Sequence, residues 1–324
     1  MINIAILGFG VVGSATYDVT VENAKLIEKR VGDQIKVKKI VDIRDFSSHP
    51  ARDLFTKNFD DVMNDPSISM VVESIGGVTH AYNFTKAALL GGKSAVTSNK
   101  ELVATHGLEL LDIAKKNNVS YLFEASVGGG IPIIRPIKLC LAANRVQEIV
   151  GILNGTTNYI LTNMREKGIP FADALKDAQE KGYAELDPTA DIDGHDACRK
   201  LSILCWTAFG KMVEPEKMYR KGIGDVTPDD IEKARAAGAV IKLIARAKLV
   251  NGEVRCSVSP EVMPLGDPLA FVDGVYNAII VRGDFIGEAM FYGPGAGGRA
   301  TASAVMSDVI EIARDMVASR KVKD

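Results

Sequence analysis

The sequence is poor in cysteine, has a single tryptophan and shows no excess of either charge. Its four cysteines, Cys140, Cys198, Cys205 and Cys256, have neither C-x-x-C spacing nor a disulfide framework. They read as reduced, structural thiols, which points to the cytoplasm. Lys and Arg number 39 against 41 Asp and Glu, so the basic footprint of a nucleic-acid partner is lacking. No apolar run approaches the roughly 20 residues that span a bilayer, and no membrane partner is expected. The apolar start, MINIAIL, lacks a basic n-region and a small-residue cleavage site. It therefore reads as a first strand, not a signal peptide. With four histidines and no His/Cys set at ligand spacing, a transition-metal centre is not expected. What is present is enzyme-like: 324 residues, 47% hydrophobic and 25% charged, long enough for two domains.

Directly after MINIAIL comes GFGVVG, with Gly8, Gly10 and Gly13 at G-x-G-x-x-G spacing. In a dinucleotide-binding turn the first glycine makes a tight bend and the second lets the backbone approach a pyrophosphate. The third lets helix and strand pack closely. An ordinary strand–helix turn has the same glycines, but the β-prone run before it and the helix-compatible run from Val11 supply the confirming context.

To about residue 130, strand-like runs at 2–8, 35–42, 69–73, 94–97 and 119–123 alternate with helical spacing at 79–90 and 106–116. Such alternation predicts an α/β fold, a Rossmann-type doubly wound parallel sheet. Ligands of such sheets sit outside the carboxyl ends of the strands. That rule marks Gly8 to Gly13, Asp42, Glu73 to Gly76, Ser98 to Lys100 and Glu124 to Gly130, and makes Ser74 a candidate cofactor contact. Asp42 ends the second strand, where an acid can accept from a ribose hydroxyl and favour NAD. It lies 29 positions after Gly13, beyond the usual ~20, so a longer first helix and loop are expected. Arg44, two residues on, offers a charge for the 2′-phosphate of NADP, and the choice of nicotinamide stays open. Both also fit a plain charged surface loop.

Past 130 the pattern changes. IPIIRPIKLCLAA reads as a Pro-containing helix leading to EIVGILNGTTNYIL, with helices to about 210 and another at 228–237. Strand-like runs follow at 239–249, 253–259 and 276–291, and TASAVMSDVIEIARDMVASR is strongly helical. The expected division is 1–131 for NAD(P) binding, joined by a returning helix 298–324, and 132–297 for a mixed α/β substrate and dimerisation domain. The densest polar stretch is GYAELDPTADIDGHDACRKL, residues 182–201. Asp193 reads as an N-cap with Asp196 at the third helical position. Asp196 and Lys200 are four apart and share a helix face. A solvated pair is the ordinary reading. The remainder of the helix is apolar, however, which places the pair toward a cleft.

Taken together, GFGVVG, TSNKELVA, EASVGGGIPII, GILNGTTNYIL, the 182–201 stretch and GPGAGGRATASAVMSDVI resemble homoserine dehydrogenase, in order along nearly the whole chain. The resemblance implies NAD(P)-dependent interconversion of L-homoserine and L-aspartate 4-semialdehyde on the route to threonine and methionine. It implies Lys200 as proton donor, Asp196 as its support and Lys100 as a second lysine. Glu185, Asp191, Thr156 and Tyr183 take substrate-binding positions; Phe9, Val11, Val12 and Gly297 take cofactor positions. Backbone carbonyls of Glu124, Val127, Gly129 and Ile131 match a sodium-like cation site of some members, though SVGGGIP also fits a plain glycine-rich turn. A homodimer is expected. With a basic end, SRKVKD, the sequence matches a short form without a regulatory domain. A free lysine titrates near 10.4 and is a poor base at neutral pH; the expectation is that burial and a second cation correct this. Another small aldehyde or amino acid as substrate, and nucleotide binding without turnover, are the alternatives.

Overall fold

A computed structural model describes residues 1–321; the last three residues, which the expected C-terminal helix includes, lie outside the described residues. The described chain forms two compact units. One is Met1–Gly130 with Gly297 onward, the other Ile131–Ala296.

The first unit runs β1 (Ile2–Leu7), α1 (Val11–Glu22), α2 (Ala24–Val31), β2 (Ile35–Val41), β3 (Phe55–Thr56), α3 (Asp60–Met63) and β4 (Ile68–Glu73). It continues through α4 (Thr79–Leu90), β5 (Ser94–Thr97), α5 (Lys100–Lys116) and β6 (Tyr121–Leu122). The strands pair in parallel in the order β3-β2-β1-β4-β5-β6, the doubly wound dinucleotide-binding order. Ile4, Ala5, Ile6 and Leu7 of β1 are wholly buried, as a central strand covered on both faces must be. The C-terminal helix Gly298–Lys321 belongs to this unit. It adds Val305, Val309, Ile312 and Ala313 to the core around Ile4, Ile6 and Val72. The long interval from Gly13 to Asp42 holds two helices, and Gly32 ends the second in the left-handed region at φ 82.

The second unit contains β7 (Val146–Ile152), α6 (Gly155–Lys167), α7 (Phe171–Glu180), α8 (Thr189–Ile192), α9 (His195–Phe209) and β8 (Tyr219–Arg220). After them come α10 (Pro228–Ala236), β9 (Ala239–Val250), β10 (Glu253–Pro264), β11 (Tyr276–Gly283) and β12 (Gly287–Pro294). Its sheet has the order β12-β11-β7-β9-β10-β8, antiparallel except where β8 joins β10. The expected single strand over 276–291 is a hairpin, broken at residues 284–286. Asn251 and Gly252, both at positive φ, turn β9 into β10. The helix expected over 131–143 shrinks to a short segment, Pro136–Cys140. Pro136 has no N–H to donate and so takes a place at the start of the segment, where none is needed. Cys205 and Cys256, distant in sequence, bring their Sγ atoms within 3.3 Å as free thiols.

One buried polar group stands out in the parallel sheet. Glu73 ends β4 with no exposed surface. Its carboxylate accepts from the Ile75 N–H at 2.6 Å and from the Thr97 hydroxyl. Burial pushes its pKa up to about 7, against the opposing pull of those donors. A folded value above the unfolded one means that the stability it contributes is complete at low pH. That contribution is lost as the pH rises through about 7. Glu73→Gln keeps the shape and removes the ionisation. Denaturant unfolding should show wild type losing about 3 kcal/mol relative to this variant between pH 4 and pH 8; an unchanged difference would overturn the assignment.

Candidate active site

In the first unit the glycine turn is shaped by two different demands. Gly8 has φ +87, and a Cβ there would lie 2.9 Å from the Ser74 carbonyl oxygen; a Cβ on Gly13 would lie 2.0 Å from the Gly8 carbonyl oxygen. Those two are glycine because the strand, turn and helix touch. A Cβ on Gly10 meets no protein atom within 4 Å, so the unit's own packing does not require glycine there. The backbone at Gly10 is bare toward open space, the arrangement that suits a phosphate at a helix N-terminus.

Around this turn the structure gathers most of the expected cofactor residues. Phe9 is buried and donates its N–H to Asp42 Oδ2 at 2.7 Å. Arg44 donates through Nε and Nη2 to the two oxygens of Asp42, at 3.0 and 2.8 Å. The guanidinium hydrogen bonds hold the Asp42 carboxyl at about 2, against burial. Asp42 is thus both the acid at the strand end and the partner of the base that competes with it. The Ser74 hydroxyl reaches the Leu7 and Gly8 carbonyl oxygens at 3.1 and 2.9 Å. It braces the turn. Val11 is exposed and Val12 half-buried on α1; a Cβ on Gly298, next to Gly297, would press on Val11 at 2.8 Å. Lys100 opens α5, where the Asn99 side chain caps the helix by accepting from the Leu102 N–H at 3.1 Å. Glu124, Val127 and Gly129 lie in the segment after β6 with Gly129 at φ +59, whereas Ile131 begins the second unit.

In the second unit the 182–201 acids separate by environment. Asp187 accepts from the Thr189 N–H and hydroxyl at 3.2 and 2.6 Å, a turn-forming role that lowers its pKa. Asp193 is exposed and ends α8. It is not the N-cap of α9: that place belongs to Gly194 at φ 82, with no side-chain cap bond. A second short helix runs into α9 through a left-handed residue, so Asp193 adopts helical backbone and Asp196 falls one position earlier in α9 than expected. Glu185 is exposed on the loop after α7, whose backbone the Gln179 amide grips at 3.1 Å. Thr156 donates to the Tyr183 carbonyl at 2.8 Å, tying that loop to the start of α6.

Asp191 and Asp196 behave differently. Lys200 and Asp196 are 7% and 3% exposed, and Lys200 Nζ donates to Asp196 Oδ2 at 2.7 Å and to the Leu153 carbonyl at 2.8 Å. Asn154 Nδ2 donates to Asp191 Oδ1 at 2.6 Å and to the same Asp196 oxygen at 2.9 Å. A buried ammonium thus sits among charged and amide partners, the condition under which burial is tolerated. Asn154 escaped sequence reading. Its place before GTTNY marks it as an N-cap, but nothing in the spacing announces two carboxylates 37 and 42 residues away. His195, at the start of α9, has its pKa lowered by burial and by the nearby Arg220 and Arg199. No group of three His, Cys, Asp or Glu among the described residues is arranged to hold a metal ion.

Comparison with known proteins joins these two halves. Residues 8–124 match the family model for the NAD-binding domain of homoserine dehydrogenase, and residues 132–310 match the model for homoserine dehydrogenase itself. The Helicobacter pylori homoserine dehydrogenase is 45% identical over 314 residues, covering 97% of this chain and 74% of the relative. The crystal structure of a homoserine dehydrogenase from Thiobacillus denitrificans superposes with a TM-score of 0.94 at 42% identity, over 98% of this chain and 74% of that one. A hyperthermophilic archaeal homoserine dehydrogenase in complex with NADPH superposes with a TM-score of 0.81 at 31% identity, over 96% and 97%. A strand order made for dinucleotides and a buried lysine–carboxylate pair are what an oxidoreductase of alcohols needs, and the chain belongs to the homoserine dehydrogenase family.

Proposed function

We propose that the chain interconverts L-homoserine and L-aspartate 4-semialdehyde with NAD or NADP, as a cytoplasmic enzyme on the route to threonine and methionine. The observation that carries this reading is the buried Lys200, held at 2.7 Å by Asp196 and at 2.8 Å by the Leu153 carbonyl. A bound nicotinamide supplies the hydride transfer. The chain must then handle the proton. Two of the three Nζ hydrogens have protein acceptors, and the third is the one to give to the aldehyde oxygen; in the other direction Nζ takes the hydroxyl proton. Asp196 aims the ammonium, and Lys100 is the second lysine of the reaction. Asp191 and Glu185 suit the substrate's α-ammonium, with Thr156 and Tyr183 shaping the loop beside them. The bare backbone at Gly10, with Phe9, Val11, Val12 and Gly297, holds the cofactor. Backbone carbonyls are hard donors that suit Na+, and the turn at Glu124, Val127 and Gly129, followed by Ile131, would supply them.

Exposed Met290 and Tyr292 on β12, the latter stacked on Tyr276 at 5.2 Å, support pairing of two copies into a homodimer. Light scattering should give twice the chain's 34.8 kDa.

The main test is reduction of NAD+ and NADP+ by L-homoserine, followed by nicotinamide absorbance, in wild type and Lys200→Ala. Turnover should fall by about 10²–10⁴ in the variant, the contribution of a positioned proton donor, with cofactor binding retained. Wild-type protein that binds nucleotide but does not oxidise homoserine would end the proposal.

Arg44 gives a separate expectation. Its side chain is half exposed and its charge is the one that a 2′-phosphate would attract. Arg44→Ala should raise KM for NADP+ by about tenfold, the loss of one charge-assisted contact, and leave NAD+ within a factor of about three. Equal effects on both cofactors would remove Arg44 from the choice between them.

A further inference from the structure

Asn154 connects more of the second unit than any role so far assigned to it requires. It is 5% exposed and stands between β7 and α6 in extended conformation. Its Oδ1 accepts from the Thr157 N–H at 2.8 Å and the Thr157 hydroxyl at 3.0 Å. A backbone N–H only donates, so the oxygen is pinned to the helix side and the NH2 group must face away from it. There its two hydrogens serve two carboxylates, Asp191 at 2.6 Å and Asp196 at 2.9 Å. Those acids come from different elements, α8 and the first turn of α9. Asp196 shares the oxygen it offers Asn154 with Lys200, and Lys200 returns to the carbonyl of Leu153, the residue next to Asn154. The ring of contacts closes on one peptide.

We infer that Asn154 is a positioning residue that sets the spacing between the acid receiving the substrate's α-ammonium and the lysine that handles its proton. The inference rests on the homoserine reading above for the roles of Asp191 and Lys200. A neutral amide is suited to the task. It bridges two like charges without adding a third, and its own orientation is locked by the helix it caps. A lysine or arginine in its place would compete with Lys200 for Asp196, and a shorter donor would reach one carboxylate but not both. The distance from ammonium site to proton site is the quantity that separates homoserine from amino alcohols one carbon shorter or longer. Asn154 thereby contributes to chain-length selectivity without touching the reacting atoms.

The test separates capping from bridging. Asn154→Ser and Asn154→Asp both keep a good helix cap. Serine cannot span the two acids, and aspartate replaces the donor with a third carboxylate beside Lys200. The expected result for the serine variant is a thermal transition and NAD(P)+ binding close to wild type. Its kcat for L-homoserine should fall about a hundredfold, the scale of a small misplacement of reacting groups, and its preference over serine and longer amino alcohols should narrow. For the aspartate variant the kcat pH profile should move to higher pH, since an added anion favours the charged lysine. A serine variant with wild-type kcat, KM and selectivity overturns the assignment while leaving the homoserine reading intact. A loss of kcat matched by loss of folded protein makes Asn154 a cap only. Wild-type protein inactive on homoserine overturns both readings together.

Discussion

An ammonium group taken out of water must find compensation inside the protein, and the second unit is organised around that requirement. Lys200 lies on a helix whose buried residues include Ala197, Cys198, Leu201, Ser202, Ile203, Leu204 and Cys205. An isolated charge there would cost far more than one unit's net stability. The remedy draws on three elements. Asp196 comes from one turn earlier on the same helix, the Leu153 carbonyl from the end of β7, and Asn154 from the cap of α6. Because the compensation is spread over separate elements, their relative placement is fixed by electrostatics as well as by packing. A pair of this kind is weak evidence of stability, since a well-packed apolar pair often does as well.

The first unit solves a different problem, how to bring backbone close to an anionic ligand. Gly8 and Gly13 serve the fold, one by its positive φ and the other by contact between helix and strand. Gly10 serves neither, and its freedom from neighbours is what leaves the helix N-terminus of α1 approachable. Asp42 ties this turn to the end of β2 by accepting the Phe9 N–H. Its pairing with Arg44 ties the two into one ion pair, so acid and base cannot be treated as independent markers of cofactor choice.

Much of this was legible in the chain. The alternation of apolar runs and helical spacing gave the parallel sheet, and GFGVVG gave the turn, because both depend on local periodicity and on backbone geometry. The four-residue spacing of Asp196 and Lys200, in an otherwise apolar helix, gave the buried pair. The acids around them were harder to rank. Asp187 and Asp193 have the same composition signal as Asp191, yet one shapes a turn and another lies exposed at a helix end. The N-cap assigned to Asp193 failed because a short helix precedes α9, and a glycine in the left-handed region joins them.

The sequence by itself determined the class of fold, the nucleotide turn and the lysine–carboxylate pair, since each is written in spacings of a few residues that backbone geometry translates directly. Only the tertiary structure decided which acids share a donor, that Asn154 is that donor, that Ser74 braces the turn, and that Cys205 meets Cys256. These are contacts across 37 to 67 residues of chain. No local rule encodes them, because they follow from how sheets and helices pack once formed.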